Sequence, residues 1–452
     1  MYIKLINIVT LFGKNGELRN VLASSFQKGY TMTEKPELVS PRITTLEQAL
    51  TAGDHVALAA FWQEVTAQET PLIEPIEGDD KHSLVTFLWH ATGETHNVVV
   101  FGERSGWNRL QENQMTRLLD TDLWYKTYRV RADLRMTYLL SANDPLTKVS
   151  HAEFGTRLVP DPLNPRHFVY PRDEEIPDDQ EEVVSVLELP SAPAQPWITP
   201  RPAVAKGQVE MHRLRSDILN NERWVWVYTP PGYTTSGEPY GLFLVFDGWT
   251  YTELIPTPTI LDNLISEGKI PPVVAILPDS LNQEIRSREL PCYDPFVAFL
   301  TRELLPWVRE RYHVSTDPTK AIVGGASYGG LAAAFVGLRA SEYFGNVLSQ
   351  SGSFWWDMDA EDELPQYWLI QQFVASPRVP VRFYCEVGLR ERTSGVDMVA
   401  CGWYLRDVLA LKGYEVHYAE FSGGHEYLCW RGSLADGLVK LIGTERKDLT
   451  QL

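Results

Sequence analysis

Basic residues are in short supply in this chain. Lys and Arg number 41 against 59 Asp and Glu, which gives a formal net charge of −18. Nonspecific nucleic-acid binding needs stripes of Lys and Arg against phosphate, so the balance argues against it. The same charge repels anionic ligands unless a site gathers basic residues locally. Cysteine is scarcer. Cys292, Cys385, Cys401 and Cys429 are widely spaced, with no CxxC pair. A disulfide framework and a zinc ribbon are therefore not expected, and buried reduced thiols are. Cys429 follows His425 by four residues, but no third ligand at a recognisable spacing joins them, so no metal site is expected. There is also no uninterrupted apolar run of ~20 residues, hence no expected transmembrane helix.

Length and aromatic surface are plentiful. At ~150 residues per domain, 452 residues predict two or three domains. Hydrophobic residues at 44% and charged residues at 22% are globular values, which sets aside a disordered or fibrous chain. Fourteen Trp supply large rings for cores and ligand clefts alike. The first residues, MYIKLINIVTLF, resemble a signal peptide only faintly, because Asn7 and Thr10 interrupt the run and no A-x-A site follows. Met32 begins a stretch that reads as a natural start, so residues 1–31 are expected to be an extension with no assigned fold.

The texture then divides the chain. Apolar residues from Leu46 to Trp62 recur at helical intervals, which predicts a helix over Thr45 to Val65. Short β-branched and aromatic runs follow (HSLVTFLWHA, HNVVVFG, WYKTYRVRA, MTYLLSA). They predict an immunoglobulin-like β-sandwich within residues 32–172, filled by Trp89, Trp107 and Trp124. Residues 173–182 hold seven acids and no base, and residues 190–202 hold five prolines. Together they predict a solvated, semi-rigid linker over 173–204. From 205 to 446, near-continuous apolar runs ending in Gly, Asp or Ser alternate with helical stretches. That pattern predicts an α/β domain with a mostly parallel sheet covered on both faces. Ligands in such sheets bind beyond the carboxyl ends of the strands, so the functional residues belong just after each run.

There, Gly325-Ala326-Ser327-Tyr328-Gly329 follows the strand KAIVGG and opens the helix YGGLAAAFVGL, the context a nucleophile elbow requires. A packing turn rich in glycine is the plainer reading of GxSxG alone. The order Ser, acid, His of α/β-hydrolases requires a later histidine, and only His417 and His425 follow Ser327. His417 lies inside a strand, whereas His425 sits in a loop behind two glycines and is the preferred base. The acid belongs just past the strand VRFYCEVG. Glu391 is the choice, with Glu386 in the strand and Asp397 farther on as alternatives. The oxyanion hole is expected from the Tyr328 N–H and from Gly248 or Trp249 after the strand LFLVFDG.

Six segments carry a family resemblance: LFLVFDGW, IRSRELPC, GGASYGGLAA, VLSQSGSFWW, GLRE and GGHEYLCWRG. With them, the chain resembles the enterochelin (ferric enterobactin) esterases, in the esterase-D-like branch of the α/β-hydrolases. The amino-terminal part, with Asp161-Pro162-Leu163-Asn164-Pro165, is similar to that family's sandwich domain. The resemblance implies cytoplasmic hydrolysis of a tricatecholate siderophore trilactone; no cofactor is expected, and a monomer or weak oligomer is. It carries Ser327, His425 and Glu391 over as the catalytic residues. Arg286, Arg288, Arg390, Trp355, Trp356 and Trp430 fall in loops near the expected site and suit a trianion with flat aromatic arms. The plainer readings are core packing for each Trp and a local Arg288–Glu289 ion pair. A feruloyl-type or other aryl carboxylesterase, and a non-catalytic siderophore- or carbohydrate-binding protein, are the alternatives.

Overall fold

The described structure begins at Ser40. The Ser40 hydroxyl accepts the Ile43 N–H at 3.2 Å, and Pro41 opens a helix over Pro41–Thr51. The computed structural model describes residues 40–102, 110–147, 156–174, 179–358, 367–392 and 396–444. The extension expected over 1–31 and Trp107 lie outside the described residues. The single helix expected over Thr45 to Val65 is two, Pro41–Thr51 and Ala57–Gln68. The apolar spacing continues across the break, but Gly53 at φ +88° ends the first helix in a left-handed conformation that glycine tolerates.

Among the described residues, eight strands then build two antiparallel sheets: β1 Leu72–Ile76, β2 Asp79–His90, β3 Val98–Gly102, β4 Thr116–Arg117, β5 Leu123–Arg131, β6 Arg135–Ala142, β7 His167–Tyr170 and β8 Glu182–Glu188. Their orders are β1-β2-β5-β4 and β3-β6-β8-β7. Val85, Phe87 and Trp124 from one sheet pack with Val100, Met136 and Tyr138 from the other, which makes the sandwich core. Trp89 lies at its edge. The linker expected from Asp173 is corrected here. β8 lies between β6 and β7, so the sheet continues to Glu188 and only the proline-rich stretch beyond it connects. The flanking acids masked the apolar run VVSVL, whose Val184 and Val186 are buried.

The second body of structure is one sheet of eight strands: β9 Gln208–Ser216, β10 Asn221–Thr229, β11 Gly241–Val245, β12 Val273–Pro278, β13 Ala321–Ala326, β14 Asn346–Gln350, β15 Arg382–Gly388 and β16 Glu415–Phe421. The order is β9-β10-β12-β11-β13-β14-β15-β16. β10 runs antiparallel to β9 and β12, and every later pairing is parallel. In β11, Leu242 and Leu244 enter one core while Phe243 and Val245 enter the other, the period-two alternation of a strand buried on both faces. Helices Asp294–Phe299 and Tyr328–Arg339 cover the first face; Thr257–Ser266 and Tyr427–Ile442 cover the second. β13 lies at the centre, so the loop after it opens at the middle of the sheet's carboxyl edge.

The sandwich packs on this edge. Val99, Phe101 and Phe168 share an apolar cluster with Leu254 and Leu428, against which Trp249 and Tyr427 also lie. Arg431 bonds Gln195 at 3.0 Å and stacks over Phe168 at 5.3 Å. It therefore serves this junction.

Candidate active site

β13 delivers Ser327 into a turn too tight for relaxed backbone. Ser327 has φ 58° and ψ −119°, a region sparsely populated by residues with a side chain. Glycines permit the turn. A Cβ on Gly325 would fall 2.7 Å from the Gly329 carbonyl carbon, and one on Gly330 would fall 2.7 Å from Ser349 Oγ. The neighbouring strand holds the turn in place. Ser327 N–H donates to the Gln350 carbonyl at 2.9 Å, and Ser353 N–H donates to the Ser327 carbonyl at 3.0 Å. The Ser327 hydroxyl itself faces the Ser353 hydroxyl at 3.3 Å.

Past β15 and β16, two loops bring an acid to a base. Glu391 Oε2 lies 2.7 Å from His425 Nδ1. Its other oxygen accepts the Ser351 hydroxyl at 2.6 Å and the Gly388 N–H at 2.7 Å. Glu391 is 2% exposed, so these donors satisfy its carboxyl oxygens away from water. The alternative acids are engaged elsewhere. Asp397 caps the helix Met398–Leu411 through Ala400 N–H at 2.9 Å and pairs with Arg392 at 3.3 Å. His417 lies 3.3 Å from Glu415 on its own strand.

Glu386 is buried under the site, where Gln350, Tyr384 and Ser433 donate to it. The same Gln350 side chain accepts from Tyr251 at 2.8 Å, so this network underlies both the elbow and the loop after β11. Burial pushes the Glu386 carboxyl from its ordinary 4.5 up to about 7, against the pull of its donors. The folded pKa is raised, so its contribution to stability is full below pH 4.5 and is lost as pH rises through about 7. Thermal unfolding followed from pH 4.5 to 8 should show a decline with pH that is smaller in Glu386→Gln. Equal slopes would contradict a neutral Glu386 in the folded state.

The oxyanion candidates separate on geometry. Tyr328 opens the helix Tyr328–Arg339, so its N–H has no intrahelical acceptor. Gly248 is corrected as a donor, because its N–H is spent on the Pro278 carbonyl at 3.0 Å. Its absent side chain is what the loop needs: a Cβ would fall 2.3 Å from the Leu277 carbonyl oxygen. Trp249 remains. It caps the short helix Thr250–Glu253, which leaves its N–H outside the helical ladder.

The expected substrate-binding residues divide. Arg286 lies beside the elbow, with its guanidinium 5.8 Å from the Tyr328 ring centre. It forks onto Asp247 through two bonds of 2.8 Å, and Asp247, at φ 58°, also accepts Ser280. This pair fixes the loop that carries Gly248 and Trp249 and cancels most of the Arg286 charge. Arg288 does meet Glu289, at 3.2 Å, but Glu289 is shared with the buried Arg223 at 2.5 Å. One acid between two arginines leaves net positive charge on the half-exposed Arg288. Trp355 lies 6.1 Å from the Tyr328 ring, and Trp356 lies edge-on to Trp368. Arg390 donates its N–H to the Gly423 carbonyl, which ties the acid loop to the histidine loop. Trp430 is corrected: at 2% exposure it is a core residue. It donates to Ser351 at 3.0 Å and stands edge-on to His425 at 4.7 Å, so it supports the site from behind. Ser351 and Ser353 also serve the site; nothing in the sequence marks them beyond their place in the SQSGSFWW segment.

A mostly parallel sheet of this order, with a serine on a strained turn after its fifth strand, defines the class: a carboxylic ester hydrolase of the α/β-hydrolase fold. The esterase family model matches residues 216–441, and the enterochelin esterase N-terminal model matches residues 84–198. The chain belongs to the iron(III) enterobactin esterase family. It is 30% identical over 437 residues to the iron(III) enterobactin esterase of Dickeya dadantii, which covers 88% of this chain and 95% of that one. The iron(III) salmochelin esterase of Escherichia coli is 29% identical over 89% of this chain and 98% of its own length. The enterobactin esterase of Shigella flexneri, solved in the presence of enterobactin, is 27% identical with a TM-score of 0.67, covering 84% of this chain and 97% of that one. Among the described residues no helix is long and apolar enough to cross a membrane.

Proposed function

We propose that the chain is a serine esterase that opens and then cleaves the trilactone of a catecholate siderophore of the enterobactin type, taken as its ferric complex in the cytoplasm. The observation that carries this reading is the 2.7 Å contact of Glu391 with His425, on the sheet edge where Ser327 is held in its strained turn. An ionised carboxylate only accepts, so the His425 proton sits on Nδ1 and Nε2 is the basic nitrogen. Nε2 takes the Ser327 proton as Oγ attacks a lactone carbonyl. The oxyanion is met by the N–H groups of Tyr328 and Trp249. Collapse breaks the ester bond, and Nε2 returns the proton to the departing serine alkoxide of the substrate. Water, deprotonated by the same nitrogen, then attacks the acyl-enzyme and frees Ser327. Arg288, Trp355 and Trp356 supply positive charge and flat surfaces for catecholate arms. Arg286 acts through the oxyanion loop.

The substrate class is tested by kcat/KM. Ferric enterobactin should exceed methyl ferulate by at least about 100-fold, since an aryl ester alone leaves the basic and aromatic contacts unused. Equal values, or preference for the ferulate, would move the chain to the aryl esterases.

A further inference from the structure

The loop that carries His425 is intrinsically loose. Ser422 to Glu426 join β16 to the helix Tyr427–Ile442, and the two glycines before His425 give the backbone wide freedom. The hydrolase sheet restrains one side of the loop through Glu391 and through the Arg390 N–H on the Gly423 carbonyl. The sandwich restrains the other side, through β6 and the turn before it, where Asp133 bonds the Ser422 side chain. Arg135 N–H on β6 donates to the Ser422 carbonyl at 3.0 Å. Two residues along β6, Thr137 donates both its N–H, at 2.9 Å, and its hydroxyl, at 2.6 Å, to one carboxylate oxygen of Glu426. Between these anchors, a Cβ on Gly423 would fall 2.9 Å from the Arg135 carbonyl oxygen, so the loop lies directly against the strand.

Glu426 is an unusual residue to place here. It is 3% exposed, follows His425 directly, and starts the helix Tyr427–Ile442 without a side-chain cap bond; from that helix its other oxygen accepts only the long Cys429 Sγ contact at 3.9 Å among the described bonds. Burial pushes its carboxyl up to about 6, opposed first by the Thr137 donors and then by the charge of Arg390. A buried carboxyl of this kind is costly for simple packing, where an apolar residue would serve better. Its bonds reach across 289 positions of sequence to the sandwich, and they fix the residue next to the base.

The geometry points to a positioning role for the sandwich domain: the Thr137–Glu426 clamp holds the His425 loop in the register that aims the imidazole at Ser327. Thr137 and Glu426 touch neither substrate nor reacting atoms, so they act through His425. The inference rests on the reading of Ser327 and His425 given above and adds the sandwich to it.

The test uses the full chain with three variants. Thr137→Val keeps the β-branched shape and the N–H donor but removes the hydroxyl; Thr137→Ser restores the hydroxyl; Glu426→Ala removes the carboxylate. Labelling of Ser327 by a fluorophosphonate probe and steady-state hydrolysis of a simple aryl ester are measured well below the melting temperature of each variant. Thr137→Val should lower the labelling rate and kcat by about 10-fold and Glu426→Ala by about 100-fold, with KM nearly unchanged, because a small misplacement of a catalytic group costs rate and not ground-state binding. Thr137→Ser should return to the wild-type rate. Thr137→Val and Glu426→Ala rates both within about twofold of wild type, or a Thr137→Ser variant as slow as Thr137→Val, would overturn the clamp. A wild-type protein that does not label at all would instead overturn the serine-esterase reading beneath it.

Discussion

Ser327→Ala is expected to lower kcat for ester hydrolysis by about 10⁶-fold and to abolish fluorophosphonate labelling, while the protein folds and melts as the parent does. The size follows from what is removed. The hydroxyl is the attacking atom, and what remains is binding plus the oxyanion donors, which act on a water-driven reaction only weakly. Stability should hold because the Ser327 backbone is secured by Gln350 and Ser353, and the hydroxyl's bonded neighbour is another hydroxyl at 3.3 Å. If Ser353 could take over as nucleophile, the variant would keep substantial turnover and still label. That result would move the nucleophile by one loop.

Glu391→Gln is expected to lower kcat by about 10³- to 10⁴-fold with little change in KM. The reason lies in the donors around the carboxylate. Oε1 accepts both the Ser351 hydroxyl and the Gly388 N–H, so a glutamine must keep its carbonyl oxygen there. Its amide then turns N–H toward His425 Nδ1, in the place where Oε2 accepts at 2.7 Å. Nδ1 becomes an acceptor, the proton moves to Nε2, and the imidazole can no longer take the Ser327 proton. Geometry would survive with the wrong tautomer. Activity within about 10-fold of wild type would show that His425 works without its acid and would reopen Asp397 or no acid at all.

The sheet was legible because strands buried on both faces read as continuous apolar runs, and the elbow was legible because glycine is required where Gly325 meets Gly329. Glu391 could be placed by its distance past β15, although sequence alone left Glu386 and Asp397 open. What the sequence hides is where polar groups spend their bonds. Nothing local distinguishes Gly248 from Trp249 as a donor until the Pro278 carbonyl is seen to occupy one of them. Arg286 reads as a free cation until Asp247, 39 residues earlier, is found beneath it. β8 was masked by the acids around it, and Thr137 reads as an ordinary strand residue because its partner lies in the other half of the chain. Net charge was a poor guide for a similar reason. The excess of −18 describes the whole surface, whereas Arg288 keeps local positive charge because Arg223 shares its acid.

The measurement that bears most directly on the central claim is chromatography of ferric enterobactin after incubation with the wild-type protein and with Ser327→Ala. The account predicts linear trimer first, then dimer and monomer of 2,3-dihydroxybenzoylserine, with no product above background from the variant. An intact trilactone after incubation with active, fluorophosphonate-labelled wild type, or equal products from Ser327→Ala, would contradict it.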